Sequence, residues 1–434
     1  MTRFLDARET GFAEDFTRLI AARGARLDEA EIAAREIVQR VRDGGVAAVL
    51  DYVNRFDGVE LTEKNLRVTP AEIDQALAAC PLDLVRALEH AADRIAAFHV
   101  RERPQDGGFI DEAGVSLGWR WNAVDSAGLY APGGLAAYPS SVLMNAIPAK
   151  AAGVARLAMA TPPARLFDNP AILAAAKIAG VDEIWKIGGA HAIAALAFGA
   201  GPLQACDVVV GPGNAYVAAA KKIVFGAVGV DAVAGPSEIF ILCDGSLPPE
   251  WIAADLLAQA EHDEDAQSVL FTQDRAFGEA VAAAVEKQIA AGQAGKPARV
   301  SWERHGAIVI VGALEDAAPY VNQAAPEHVE IAAEQADRLA GLIRHAGAIF
   351  LGAYAPEAFG DYIAGPSHVL PTSRAARFSA GVSTFTFMKR TSLIGADAQA
   401  AAAIGPDAAR LADSEGLPAH ALSVRLRLPG GGGG

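Results

Sequence analysis

Gln259 and His262 stand three residues apart in "LLAQAEHDEDAQS", and Asp263, Glu264 and Asp265 follow them. If "AADLLAQAEH" is helical, this spacing brings the Gln259 amide and the His262 imidazole to one face. A neutral imidazole nitrogen is the commonest protein ligand for a borderline metal ion, and an amide carbonyl oxygen can serve such an ion too. Two ligands do not complete a site, because zinc usually takes four. Taken alone, the pair reads as a polar helix end, with the acidic run as its solvated continuation.

Three further places pair an acid with an imidazole. "NQAAPEHVEI" sets Glu327 beside His328 after the turn residue Pro326. An imidazole with a near-neutral pKa can take a proton from an alcohol, and a carboxylate can activate water. A surface turn with two polar residues is the plainer alternative. "GDYIAGPSH" carries Asp361 and His368. "DSEGLPAH", near the C-terminus, carries Glu415 and His420, the groups in that Gly/Pro-broken segment able to do chemistry. A solvated tail is the plainer alternative there. His90, His99, His305 and His345 fall in ordinary helical or loop contexts and are assigned no chemistry.

Three glycine turns form a second group of candidates: Gly133-Gly134, Gly188-Gly189 and Gly211-Pro212-Gly213. Each follows a short apolar strand pattern and precedes an alanine-rich helical one. Free N–H groups at such a turn, with the positive end of a helix dipole behind them, suit a pyrophosphate. None completes G-x-G-x-x-G, since "GPGNAY" lacks the last glycine. Plain α/β turn chemistry without a nucleotide stays open.

The elements that must position these groups follow from the pattern of the chain. Its 434 residues exceed one ordinary core, so two or three domains are expected. The composition, 52% hydrophobic and 21% charged, belongs to a folded, soluble protein. A net charge of -15 without a basic cluster disfavours nucleic acid and anionic membranes as partners. Cys80, Cys206 and Cys243 are odd in number and far apart, which fits a reducing compartment and neither a disulfide framework nor a cysteine metal site. The N-terminus lacks an apolar signal core, and Pro132, Gly133, Gly134, Pro139 and Pro148 break the uncharged stretch from Ser126 to Ala149 into turns and short elements. The closing "LPGGGGG" reads as a flexible tail.

Apolar spacing of three and four predicts helices from roughly Asp15 to Phe98, with a turn at Gly44-Gly45. From Ser126 onward, strand, glycine turn and helix repeat: "SAGLYAPGG", "DEIWKIGG", "CDVVVGPGN" and "SEIFILCDG" are followed by helical runs, and "GAIVIVG" and "AGAIFLG" supply further strands. That repeat predicts parallel sheets flanked by helices. "AGPSEIFIL" and "AGPSHVLPT" share a four-residue opening, an echo of a duplicated half or of chance in an Ala- and Gly-rich chain.

Taken in order, "GLYAPGG", "AAYPSSVLMNAIPAK", "VVVGPGNAYVAAAKK", "AGPSEI", "LLAQAEHDEDAQS", "APEHVEI", "GDYIAGPSHVLPT", "MKRTS" and "EGLPAH" make the chain resemble the histidinol dehydrogenase family over nearly its whole length. The resemblance implies an α/β fold: two Rossmann-like parallel-sheet domains, a helical N-terminal segment and a C-terminal tail. The implied boundaries are a helical segment at 1–25, a discontinuous α/β domain at 26–125 and 239–380, a second Rossmann-like domain at 126–238 and a C-terminal segment at 381–434. It implies a cytoplasmic enzyme oxidising L-histidinol to L-histidine in two NAD-dependent steps through a bound aldehyde, with one zinc per site. By matching motif, the zinc ligands are Gln259, His262, Asp361 and His420, and Glu327 and His328 are the acid–base pair. Ser237, His368 and Glu415 match substrate contacts, alongside the ligands and His328; Tyr130, His191 and Asn214 stand at NAD-contacting positions. The resemblance also implies a homodimer whose tails reach the partner's site, so that Glu415 and His420 act in trans.

Two departures stand out. The family usually shows "GGAQAIAA", whereas this chain has "GGAHAIAA", with His191 in place of a glutamine. A neutral imidazole has one donor against the amide's two, so cofactor affinity or selectivity is the property exposed to the change. Leu135 stands where a polar or basic residue is common. Other readings are a sibling dehydrogenase for another amino- or hydroxy-compound, a zinc hydrolase using Glu327, and a non-catalytic paralogue. The absence of H-E-x-x-H counts against the hydrolase. Retention of every proposed ligand and of Glu327 and His328 counts against the paralogue.

Overall fold

The structure is a computed structural model that describes residues 2–21, 27–133, 138–166, 168–232 and 235–429. Gly134 and Leu135 of the first glycine turn, and the glycines at 430–434, lie outside the described residues. The chain divides into two compact units, Met1–Glu102 with Asp125–Phe387, and Arg103–Val124 with Met388–Gly434.

The first unit holds two parallel sheets. Edge to edge, the strands of the first run Arg3–Asp6, Ala307–Ile310, Gln267–Thr272, Glu238–Cys243, His328–Ala332 and Ala348–Leu351. All of its pairings are parallel. "EIFILC", "QSVLFT" and "AIVI" are buried residue by residue. Continuous apolar runs of this kind arise because helices cover both faces, so neither set of alternating side chains meets water. On one face Phe12, Phe16 and Leu19 of the helix Phe12–Ala21 join Phe240, Phe271 and Val309. On the other, Ile252 and Leu256 of the helix Pro249–Ala260, together with Val281 and Trp302, join Ile239, Ile241 and Leu270.

The second sheet runs Glu183–Lys186, Arg156–Thr161, Ser126–Tyr130, Val208–Val210 and Gly229–Val230, again all parallel. Numbered by their order in the chain, these strands lie 3-2-1-4-5. The first sheet, without its added edge strand Arg3–Asp6, has the same order. Both are thus halves of the doubly wound type, as expected, with a switch point between the first strand and the fourth.

The N-terminal region departs from expectation in two respects. Arg3–Asp6 is a strand and not part of a helical segment, because it supplies the edge pairing that Ala307–Ile310 lacks on that side. Gly44-Gly45 interrupts the helical run as expected: within Leu27–Asp57 two helices meet at a kink where Gly45 takes φ 55° and ψ -140°. The helices between residues 27 and 102, grouped above with 239–380, pack on the second sheet's helices. Ala34, Val38, Val49 and Val53 share a core with Ile193, Leu196, Val217 and Val224. Leu82–Glu102 lies against Pro139–Ala152.

The second unit pairs Met388–Gly395 with Ser116–Ala123 and that strand with Gly107–Ile110, all antiparallel. Its helices Ala398–Ser414 and Pro418–Arg425 pack closely. A Cβ at Gly405 would lie 2.5 Å from the Leu428 side chain.

Phe16 anchors the N-terminal helix, its ring among those of Phe12, Phe240, Phe271 and Tyr320 and fully buried. Phe16→Ala is expected to destabilise the protein by about 3–5 kcal/mol, and Phe16→Leu by clearly less. Urea unfolding measures both; equal midpoints for Phe16→Ala and the parent would remove this helix from the cooperative core.

Candidate active site

Most of the candidate residues in the first unit meet at one edge of the first sheet. Glu327 and His328 enter at the start of the strand His328–Ala332, and Ser237 directly precedes Glu238–Cys243. Gln259 sits at the end of Pro249–Ala260, a helix that returns the chain to that edge, and His262 follows within the closing turn. Asp361 comes from the short helix Glu357–Tyr362. Arg94 holds the end of that segment, its Nε donating to the Ile363 carbonyl at 2.7 Å.

The Gln259 amide is fully buried between two imidazoles. Its oxygen accepts from His328 Nδ1 at 2.9 Å, and its nitrogen donates to His262 Nδ1 at 3.2 Å. The Glu238 carbonyl lies 3.2 Å from the same His328 Nδ1. A carbonyl can only accept, so Nδ1 of His328 carries the proton and Nε2 keeps its lone pair. The same rule fixes His368. Its Nδ1 donates to the Asp361 carbonyl at 2.8 Å, and its Nε2 accepts from the Ser141 hydroxyl at 3.2 Å.

His262 Nε2 and Asp361 Oδ2 stand 3.5 Å apart. Two ligands at zinc bond lengths on a tetrahedron are separated by about 3.4 Å. A neighbouring trio, His328, Glu357 and Asp361, brings one ligand atom each to within 4.8 Å of one another. His328 Nε2 is 3.7 Å from Glu357 Oε1.

Negative charge dominates this interior. Burial, then Glu238 and Asp361, raise the pKa of Glu327 well above the carboxylate range, although the Glu238 N–H and the Ser237 side chain donate to it. Burial also raises Glu357, with Asp361 and Glu327 adding to the effect. Behind it, Asp255 and Glu330 share a hydrogen bond, and burial raises both. One oxygen each of Glu330 and Glu357 has no hydrogen-bond partner among the described residues. Burial lowers His328 to about 4, against the pull of Asp361, and lowers His368. Both imidazoles are therefore neutral at neutral pH. Crowded carboxylates, neutral imidazoles and orphaned oxygens are a donor set that fits a divalent cation.

The glycine turns occupy the strand ends of the second sheet. Tyr130 closes Ser126–Tyr130, and its phenol oxygen accepts from the Gly189 N–H at 3.0 Å, tying the first turn to the second. Val208–Val210 leads to Gly211 beside it, so these ends flank the switch point. Asn214 caps Ala215–Val224, its side chain accepting from Tyr216 N–H at 3.1 Å and Val217 N–H at 3.2 Å. A Cβ at Gly213 would lie 2.4 Å from the Val217 side chain. Helix N-termini at a switch point suit a dinucleotide phosphate. His191 is buried under the second turn, its ring centroid 5.6 Å from Tyr52 and 6.0 Å from Phe56. Its Nε2 has no hydrogen-bond partner among the described residues.

Glu415 and His420 belong to the second unit. Glu415 caps the C-terminus of Ala398–Ser414 and His420 lies in Pro418–Arg425, both exposed. Sequence reasoning missed Glu357, Glu330, Asp255, Glu238 and Ser141. Glu357 precedes Asp361 by four residues and Asp255 precedes Gln259 by four, a helical spacing that signals one face.

A family profile described as histidinol dehydrogenase matches residues 21–428. The chain is 52% identical to a histidinol dehydrogenase of Caulobacter vibrioides, covering 99% of this chain and 100% of the relative. It is 53% identical to one of Ruegeria pomeroyi, covering 99% of each. Among solved structures, a histidinol dehydrogenase from Elizabethkingia anophelis superposes with a TM-score of 0.90 at 31% identity, covering 98% of each chain.

His191 gives this site a pH signature. Burial lowers its pKa from 6.5 to about 4. The unfolded chain therefore binds a proton first as the pH falls, and stability present above 6.5 is lost progressively towards 4. His191→Gln is expected to flatten the decline in unfolding free energy over that range by on the order of 3 kcal/mol. Parallel pH profiles for the two proteins would contradict this.

Proposed function

The chain belongs to the histidinol dehydrogenase family of oxidoreductases, and from that premise we propose that it oxidises L-histidinol to L-histidine in two NAD-linked steps through bound histidinal. The observation that carries the reading is the buried His328 imidazole. Its Nδ1 proton is committed to two carbonyls, and its Nε2 faces Glu357 Oε1 at 3.7 Å, beyond hydrogen-bond distance, in the group with Asp361.

The proposed zinc ligands are Gln259, His262, Asp361 and His420. Those residues would hold a zinc ion that would supply a template for a substrate carrying an amine and an imidazole, and NAD would supply the hydride acceptor. His328 Nε2 takes the hydroxyl proton as the alcohol is oxidised. Its low proton affinity keeps that lone pair available at neutral pH. Glu327 then takes a proton from the water that attacks the aldehyde. Burial raises its proton affinity, so it takes that proton only in its ionised form. Ser237, His368 and Glu415 contact the substrate in this reading, and Tyr130, His191 and Asn214 line the cofactor turns. Composite sites in a homodimer explain why Glu415 and His420 are exposed on a unit of their own: each copy supplies them to the other. The net charge of -15 supports a small-molecule partner over nucleic acid or a membrane surface. Among the described residues no helix is long and apolar enough to cross a membrane. The free, buried cysteines suit a reducing cytoplasm.

Purified zinc-loaded protein supplied with NAD and L-histidinol is expected to release two NADH per substrate consumed. No NADH from folded, zinc-loaded protein would overturn the reading. NADH from another amino alcohol but not from histidinol would favour a sibling dehydrogenase of the same family.

Glu327→Gln separates the half-reactions. Oxidation of supplied histidinal is expected to fall by about 10²- to 10⁴-fold, the usual contribution of a general base, while the first NADH from histidinol falls far less. Equal loss in both would remove Glu327 from water activation.

A further inference from the structure

Lys221 and Asp231 carry charge into the interior of the second sheet, and the chemistry above does not use them. Lys221 projects from Ala215–Val224, and Asp231 follows the strand Gly229–Val230. Their side chains are 2% and 4% exposed and form an ion pair. Lys221 Nζ also donates to the Gly211 carbonyl at 2.9 Å, and Asp231 Oδ2 accepts from the Gly211 N–H at 2.9 Å. One buried ion pair therefore holds both backbone groups of a single residue.

That residue opens the Gly211-Pro212-Gly213 turn and tolerates no side chain. Its φ is +121°, and a Cβ there would lie 2.2 Å from the Tyr130 carbonyl oxygen. The turn thus passes in direct contact with the end of the strand that carries Tyr130, across the switch point. Strand, helix and turn converge on Gly211, and the ion pair fixes their separation.

A well-packed apolar pair often serves stability as well as a buried ion pair does. Stability alone gives no reason for these charges, whereas grip on a backbone N–H and a carbonyl does. We propose that Lys221 and Asp231 are positioning residues that hold the Gly211 turn in the geometry that binds the NAD pyrophosphate, and so set cofactor affinity. The proposal rests on the reading that the dinucleotide occupies these turns.

The test uses full-length, zinc-loaded protein with Lys221→Met, Asp231→Asn and the double variant Lys221→Met/Asp231→Leu. NAD binding is measured by calorimetric titration and NAD kinetics in the steady state. Each single variant is expected to weaken NAD binding and raise KM for NAD by about ten- to a hundredfold. At saturating NAD, kcat should change by less than about threefold, since no reacting group is lost. The double variant leaves no lone buried charge, so its unfolding midpoint should recover towards the parent's while NAD binding stays weak. If a single variant does not fold, the double variant decides. Parent-like NAD affinity in a folded variant, or affinity that returns together with stability, overturns the proposal. Asn214→Ala separates this from failure of the underlying reading. If it weakens NAD binding and the clamp variants do not, only the clamp is wrong. If none of them alters NAD binding, the turns are not the cofactor site.

Discussion

Repulsion among buried carboxylates constrains everything at the working edge of the first sheet. Glu238, Glu327, Glu330 and Glu357 are buried, and Asp361 lies close by. A carboxylate removed from water is costly, and each neighbour of like charge adds to the cost. Two things can relieve it: a proton on some of the acids, or a cation among them. The raised proton affinities of Glu327, Glu330 and Glu357 express the first. The spacing of His262 from Asp361 accommodates the second. A divalent ion would lower those proton affinities again, so the acids that crowd here in its absence would become usable bases in its presence.

Parallel sheets make such crowding possible. A strand buried on both faces has no solvent side to which a charged residue can escape, so acids at its first positions stay inside. The two sheets share one strand order but use opposite ends of it. The second sheet offers the ends of its strands, where glycine turns lead into helix N-termini. The first offers the beginnings of its strands, where Ser237, Glu327 and His328 stand. Ser141, in the opening turn of Pro139–Ala152, spans the gap by donating to His368. One strand order thus presents backbone donors at one end and side-chain bases at the other.

Much of this was legible in the sequence. The three-residue step from Gln259 to His262 survives as a shared hydrogen bond, although the helix ends at Ala260, because the closing turn ties the His262 N–H to the Gln259 carbonyl. The strands ahead of the glycine turns were legible because a doubly buried strand must be apolar throughout. The destination of the helices at 27–102 was not. An amphipathic stripe records that one face is buried and is silent about its partner, and here the partner is the second sheet. The convergence of Glu357 with His328 was hidden for the same kind of reason. The two stand 29 positions apart in the chain and meet at 3.7 Å, and no local periodicity encodes a meeting of that length.

Gln259, the least expected member of the proposed ligand set, follows from the charge constraint. The residue at that position must satisfy two imidazoles at once, as acceptor to His328 and donor to His262. An amide does both, whereas a carboxylate can only accept. A carboxylate would also bring one more negative charge into an interior already crowded with them. It would draw a second proton onto an imidazole and so remove the lone pair on which base catalysis by His328 depends. A neutral amide keeps the Nδ1 proton of His328 in place and leaves Nε2 free. The same buried carboxylates that favour a cation therefore also account for an amide, and not an acid, at its edge.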